Sequence, residues 1–153
     1  MHRVQYDSPL GPLVLRSNGA ALTSLQFGAA AGQGNAGVFT DAFRWLDAYF
    51  AHKSAELPRL ALVGTPFRLR VWQQCLSIPR GHTMSYGEMA AAIGQPGAAR
   101  AVGSALGANP LLLMIPCHRV LPAGGGIGGY AAGAAVKRVL LEWESIDKYA
   151  VRV

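Results

Sequence analysis

The hydrophobic pattern of this chain changes character once, at about Val63 to Pro66, and that change limits the folds open to it more than any other feature. Upstream, "RVQYDS", "LVLRS" and "LTSLQF" are short runs with partial alternation, separated by the turn formers Ser8-Pro9 and Asn18-Gly19. Alternation marks half-buried strands, so these runs predict a three-stranded meander. Gly28 to Gly37, "GAAAGQGNAG", reads as a small-residue surface loop. Thr40 then caps an expected helix, "DAFRWLDAYF", whose Phe43, Leu46, Tyr49 and Phe50 recur at helical spacing and belong to a core.

Downstream the pattern is helical. Thr65-Pro66 is a cap followed by proline at the first helical position, opening "FRLRVWQQCL", in which Cys75 reads as an inert packed thiol. Ser85 and Glu88 form an S-x-x-E capping box for a helix from Tyr86 to Ile93, stopped by Gly94. The turn "GQPG" leads into a second helix, about Ala98 to Ala108, and the pair resembles a helix-turn-helix, whose second member approaches DNA. That second helix presents small side chains and a single charge, Arg100. Such a surface cannot read many base edges, but it suits close, sequence-independent docking on a deformed duplex with Arg100 as one long probe.

"LLLMI" predicts a short buried strand. The five glycines between Gly124 and Gly129 demand sharp turns or close approach, without the Gly-Lys-Ser/Thr ending of a phosphate-binding loop. A last helix, Ala134 to about Ser145, is expected to send Val136, Val139, Leu140 and Trp143 to a core face, with Glu144 one position further round.

A chain of 153 residues fits one domain, or a small domain packed on another. Two cysteines without C-x-x-C spacing argue against a zinc ribbon and against a disulfide-stapled secreted scaffold, which leaves a reduced, cytoplasmic setting as the expectation. No run at the N-terminus is apolar enough for a signal peptide, and no uninterrupted apolar stretch is long enough to span a membrane. The net charge of +6 and a sequence pI near 9.8 suit a polyanionic partner such as DNA.

The chemistry concentrates in "IPCHRV", Ile115 to Val120. Only a thiolate is a strong sulfur nucleophile, so Cys117 needs its thiolate fraction raised, by a base or cation beside the sulfur or by exposed backbone N–H groups of the tight turns around it. His118 is adjacent, but neighbours on an extended chain point to opposite faces, so direct contact is not guaranteed; a water bridge or a sharp turn after Pro116 would join them. A histidine base is normally oriented by a carboxylate, and Glu142, Glu144 and Asp147 on the terminal helix are equally placed candidates.

In order, "SYGEMA", "ARAVGSALGANP", "PCHRV", "GGIGGY" and "KRVLLEWE" resemble the O6-alkylguanine-DNA alkyltransferases, over about Phe67 to Glu144. The resemblance implies an α+β protein: an N-terminal β-sheet and helix lobe, 1–63, serving as support and packed on a helical C-terminal lobe, 64–153, that carries the helix-turn-helix and the active site. It implies transfer of the alkyl group of O6-alkylguanine in duplex DNA to Cys117, once per molecule, with O4-alkylthymine left open. His118 would activate Cys117 through a water, Glu144 would orient His118, and Asn109 would pin the turn near the active site. Tyr86 would crowd the target phosphate and donate its phenolic proton to the base, Arg100 would fill the place the flipped base vacates, and Gln95 would contact the DNA backbone. Leu106, Val120, Ile127, Tyr130 and Ala131 would line the guanine pocket, with minor-groove binding and a monomeric protein. No metal and no cofactor are implied.

One departure is Ala132 in "YAAGA", where the family pattern has glycine. An added methyl there predicts a narrower pocket that favours methyl over benzyl lesions. A non-catalytic sensor of alkylated bases, or a small helix-turn-helix regulator, is the competing reading, and the presence of Cys117 argues against it.

Overall fold

The computed structural model describes residues 1–30 and 36–152. The alternating runs form β1 (His2–Ser8), β2 (Gly11–Ser17) and β3 (Leu22–Phe27), an antiparallel sheet in the order β1-β2-β3. Because side chains alternate across a strand, the register Val4↔Leu15↔Leu25 and Tyr6↔Leu13↔Phe27 gathers the apolar residues on one face. Helix α1 (Thr40–Phe50) covers that face: Tyr6 meets Phe43 edge-on at 5.3 Å, stacks with Phe50 at 6.4 Å, and donates its hydroxyl to Asp47 at 2.6 Å. Leu46 and Tyr49 are buried, as their spacing required, while Phe43 and Phe50 are half-buried.

Thr40 is not the cap. A 3-10 turn, Ala36–Phe39, runs directly into α1, so Thr40 lies inside the helix and its hydroxyl donates back to Gly37 O at 3.1 Å. The expected glycine-rich loop lies partly outside the described residues, at 31–35.

The chain divides into two compact units, Met1–Leu62 with Pro110–Leu112, and Val63–Asn109 with Leu113–Val153. In the first unit the open edge of β3 is covered twice. Leu22 forms a parallel bridge with Leu60, and Leu25 exchanges hydrogen bonds with Pro110 O and Leu112 N, at 2.9 and 3.0 Å. Pairing an exposed edge in this way satisfies backbone groups that would otherwise template aggregation. "LLLMI" is buried throughout but is not a strand: only Leu111 pairs, and Leu113 takes a left-handed conformation, φ 71°, which ends the extended run.

The second unit contains α2 (Pro66–Cys75), α3 (Tyr86–Ala92), α4 (Ala99–Gly107), α5 (Ala134–Arg152) and a short parallel ladder of β4 (Met84–Ser85) with β5 (Val120–Leu121). The caps act as the sequence indicates. Thr65 Oγ accepts from the Arg68 N–H, and Ser85 and Glu88 satisfy each other's backbone N–H groups at 3.0 and 2.8 Å. Trp72, fully buried, donates its indole N–H to Ala105 O at 2.8 Å and so ties α2 to α4. Helix α5 departs from its expected face. The buried stripe is Lys137, Leu140 and Glu144, whereas Val139 is 41% exposed and Val136 and Trp143 are half-buried. Two charges occupy core positions because each finds polar partners there.

Candidate active site

The β4–β5 ladder pairs Met84 with Val120 and Ser85 with Leu121, which sets Tyr86, the first residue of α3, beside the strand that leaves the cysteine motif. Cys117–Arg119 is a single 3-10 turn, so three consecutive side chains fan out in different directions. Cys117 opens onto a cavity of about 290 Å³, lined by Gly103, Leu106 and Gly107 of α4, by Gly129, Tyr130 and Ala131, and by Tyr86. His118 and Arg119 turn instead toward α5.

The thiol sulfur accepts from Asn109 Nδ2 at 3.0 Å, and the same nitrogen donates to Ile115 O at 2.9 Å, which fixes the turn before the cysteine. Burial pushes the Cys117 thiol up to about 11, against the opposing pull of the Asn109 bond and the Lys137 charge. His118 is completely buried, and burial lowers its pKa more than Glu144 raises it, so the ring is neutral. Its Nε2–H donates to Glu144 Oε2 at 2.6 Å. A carboxylate can only accept, so the ring proton resides on Nε2 and the lone pair on Nδ1, a buried atom with no hydrogen-bond partner among the described residues.

Burial alone would raise the Glu144 carboxyl, but the hydrogen bonds of His118 and Arg119 and the Arg119 charge outweigh it and hold the group well below the usual carboxylate range. Arg119 grips Glu144 with Nε and Nη2, at 2.9 and 3.1 Å, and gives Nη1 to Ile78 O at 2.6 Å. Of the three acids left open by the sequence, Glu144 is the one that reaches the histidine; Glu142 is exposed, and the side chain of Asp147 lies outside the described residues.

Burial raises the Tyr86 phenol, the neighbouring Cys117 adds to this, and the Gly129 N–H opposes it. Gly128 has φ 76°, and a Cβ there would stand 2.8 Å from the Tyr86 hydroxyl and 3.1 Å from Pro122. Both conformation and proximity therefore demand glycine. Lys137, absent from the sequence reading, donates to Val120 O at 2.8 Å and Gly129 O at 3.1 Å, and its ammonium lies 5.7 Å from the centre of the Tyr86 ring. Its position three residues before Leu140 and seven before Glu144 was a signal that it shares their face.

The cavity also revises the expected lining. Leu106, Tyr130 and Ala131 line it; Val120, fully buried, and Ile127 do not, because β5 turns the Val120 side chain into the core. Ala132 is half-buried and does not line it either, so the expected narrowing has no structural basis. Gly103, Gly107 and Gly129 were missed, since a glycine presents no side chain to suggest a pocket. Arg100 and Gln95 are exposed, on α4 and in the turn before it. Cys75 is buried, its thiol raised by burial out of reactive range. Among the described residues no group of His, Cys, Asp or Glu is arranged to hold a metal ion.

A thiol facing a cavity, a neutral imidazole with a lone pair behind it, and a phenol on the cavity wall can together move an electrophilic carbon onto sulfur and supply a proton to the departing group. The sequence profile of the 6-O-methylguanine DNA methyltransferase DNA-binding domain matches residues 66–146, and that of the ribonuclease-like domain of the same proteins matches residues 1–62. The chain belongs to the 6-O-methylguanine DNA methyltransferase family. It is 45% identical over 152 residues to a methylated-DNA--protein-cysteine methyltransferase of Mycobacterium leprae, covering 94% of this chain and 92% of that one. A protein of the same name from Methanosarcina acetivorans is 39% identical over 154 residues, covering 94% and 98%. In structure, this family member resembles Mycobacterium tuberculosis OGT in complex with DNA, with a TM-score of 0.88 and 45% identity over 96% of this chain and 94% of that one. Among the described residues, no helix is long and apolar enough to cross a membrane.

Proposed function

We propose that this chain repairs DNA by moving the alkyl group of O6-alkylguanine onto its own Cys117, one group per protein molecule. The observation that carries the reading is the Cys117 thiol at the cavity surface, with Asn109 on its sulfur and, in the same turn, the neutral His118 held by the Glu144 carboxylate of α5. The sulfur–carbon bond forms as the O6–carbon bond breaks. The thiol proton passes to His118 Nδ1 through a water, Glu144 holds the imidazole in that tautomer, and Tyr86 gives its phenolic proton to the leaving guanine. Asn109 supports the anion as it develops.

Double-stranded DNA is the partner. The target base is rotated out of the stack into the cavity, α4 docks in the minor groove, and Arg100 fills the vacated place while Gln95 contacts the backbone. The pocket is formed by Leu106, Tyr130 and Ala131, with Val120 contributing backbone groups only. Residues 64–153 perform the chemistry and 1–63 support them. The protein acts as a monomer in the cytoplasm, where its two free cysteines stay reduced.

The test is mass spectrometry after mixing with a duplex carrying O6-methylguanine. One methyl gained on the Cys117 peptide, and none in Cys117→Ser, is the expected result; a methyl elsewhere, or repeated product release from one molecule, overturns the reading. A non-catalytic sensor would bind the same duplex and gain nothing.

A further inference from the structure

The chain crosses from the second compact unit to the first between Asn109 and Pro110, and returns between Leu112 and Leu113. The first crossing joins the residue that holds the reactive sulfur to a residue held by the sheet. On one side of it Asn109 is 3% exposed, and its Nδ2 donates to both Cys117 Sγ and Ile115 O. On the other side the Pro110 carbonyl accepts two hydrogen bonds from β3, from the Leu25 N–H at 2.9 Å and from Gln26 Nε2 at 3.0 Å. The Leu25 bond is part of the edge pairing and needs no side chain. The Gln26 bond is an addition to that pairing, from a residue in the cross-strand row Gln5–Val14–Gln26, on the opposite face of the sheet from Leu25 and Phe27. A carbonyl engaged through both lone pairs, by donors in different directions, cannot swing about either bond. Proline transmits that restraint. Its ring locks φ, so fixing the Pro110 carbonyl also fixes the direction of the Asn109–Pro110 bond, and a residue before proline is itself kept out of the helical region. With its backbone held in this way, Asn109 has only its own side-chain torsions to set when it places Nδ2 on the sulfur.

We propose that Gln26 is a positioning residue for the reaction at Cys117: by holding the Pro110 carbonyl it keeps Asn109 Nδ2 against the sulfur. The inference rests on the reading of Cys117 as the alkyl acceptor, and it gives one residue of the N-terminal sheet a definite part in tuning that nucleophile. Loss of the Gln26 amide leaves the edge pairing in place, because Leu25 still donates to Pro110 O and accepts from the Leu112 N–H. The Pro110 carbonyl, held by one donor in place of two, is then free to tilt. That freedom passes through the locked proline ring to Asn109, and the sulfur loses part of the hydrogen bond that favours its anion.

The experiment follows iodoacetamide alkylation of the Cys117 peptide of the full chain across pH, by mass spectrometry. Gln26→Met keeps the length of the side chain and removes its donor. Its alkylation rate at neutral pH falls about three- to tenfold, the equivalent of one neutral hydrogen bond, and its profile moves to higher pH, as in Asn109→Ala. In the Asn109→Ala background the same substitution changes the rate by less than about twofold, because its effect passes through the Asn109 donor. Gln5→Met is the matched control: it removes an amide from the same row of the sheet, with its bonds to the Ala30 N–H and Asp7, and leaves the profile at the wild-type position. Thermal melting checks that each variant is folded at the temperature of the assay. Single-turnover methyl transfer from an O6-methylguanine duplex slows in Gln26→Met by a similar factor. A wild-type profile or an unchanged methyl-transfer rate in Gln26→Met overturns the proposal, as does an equal further loss in the Asn109→Ala background. The same shift from Gln5→Met also overturns it, by showing that any loosening of the sheet suffices. A wild-type protein that gains no methyl overturns the alkyl-transfer reading, while the iodoacetamide comparison decides the role of Gln26 by itself.

Discussion

Glu144→Gln removes one charge from the centre of the site while keeping its shape, and the structure assigns it two separable costs. Glu144 is 2% exposed and accepts three hydrogen bonds, one from His118 and two from Arg119. Neutralising it leaves the buried Arg119 guanidinium without its counter-charge, and removing one partner of a buried pair costs about 3–5 kcal/mol. One acceptor oxygen survives in glutamine, which places the expectation near 3 kcal/mol, a loss that a domain stable by about 5–15 kcal/mol can survive. The second cost is chemical. If the surviving oxygen stays with Arg119, the amide nitrogen faces His118 Nε2 and donates to it, which moves the ring proton to Nδ1 and blocks the lone pair proposed to take the thiol proton. Loss of tautomer control in comparable histidine–carboxylate pairs slows reactions about 10⁴-fold, so single-turnover methyl transfer should fall by about 10³–10⁴. Urea unfolding measures the first cost and rapid-quench transfer the second. A variant within about 1 kcal/mol of wild type that transfers methyl within about tenfold of the wild-type rate would refute both steps.

Asn109→Ala removes the donor to the Cys117 sulfur and orphans the Ile115 carbonyl; we expect a loss of about 1–3 kcal/mol and iodoacetamide alkylation of Cys117 shifted to higher pH, and an unshifted profile refutes the role of the bond. Gly128→Ala forces a side chain into a left-handed conformation against the Tyr86 hydroxyl, so we expect about 1–2 kcal/mol of destabilisation with transfer slowed at least about tenfold; normal transfer refutes the close approach. Because the folded Cys117 thiol is raised to about 11 from an ordinary 9.0, its contribution to stability is complete below about pH 9 and lost as pH rises toward 11. Over that range wild type should lose about 2 kcal/mol relative to Cys117→Ala, read from urea midpoints, and parallel curves count against a buried thiol. The lowered pKa of His118 keeps more than half of the rings neutral at pH 6.5, so transfer should stay above half its plateau rate there and reach its midpoint only in more acidic buffer; a rate already halved at pH 6.5 contradicts a buried, neutral base.

The legible parts of the sequence were those whose physics is local. Alternation located the three strands, and Thr65-Pro66 and Ser85/Glu88 located two helix starts to the residue, because a cap satisfies backbone groups only a turn away. Less visible were features set by distant partners. Lys137 and Glu144 occupy a buried stripe that apolar periodicity assigned to Val136, Val139 and Trp143, since only the carbonyls of Val120 and Gly129, with His118 and Arg119, make that burial tolerable. "LLLMI" has the composition of a strand, yet the left-handed Leu113 ends it after one bridge. The choice of Glu144 over Glu142 and Asp147 depends on which turn of α5 faces His118, and a single residue of phase decides it.

The resting state of the thiol explains why these features belong together. A sulfur whose pKa is about 11 is almost wholly protonated at neutral pH, with a thiolate fraction on the order of 10⁻⁴. Asn109 and Lys137 both favour the anion, and burial still outweighs them. In the proposed mechanism the nucleophile therefore does not stand ready; it forms as the proton leaves for His118 and a bond to carbon develops. For a catalyst that recycles, such restraint would be a handicap. For an acceptor used once, it protects the sulfur, because oxidants and stray electrophiles select accessible thiolates. Helix α5 serves both states: Lys137 supports the thiolate and holds the Val120 and Gly129 carbonyls, while Glu144, two turns on, holds the proton of the buried, neutral His118 on Nε2 and so leaves the lone pair on Nδ1. The charged residues on its buried face are thus the means by which a protonated thiol remains able to react.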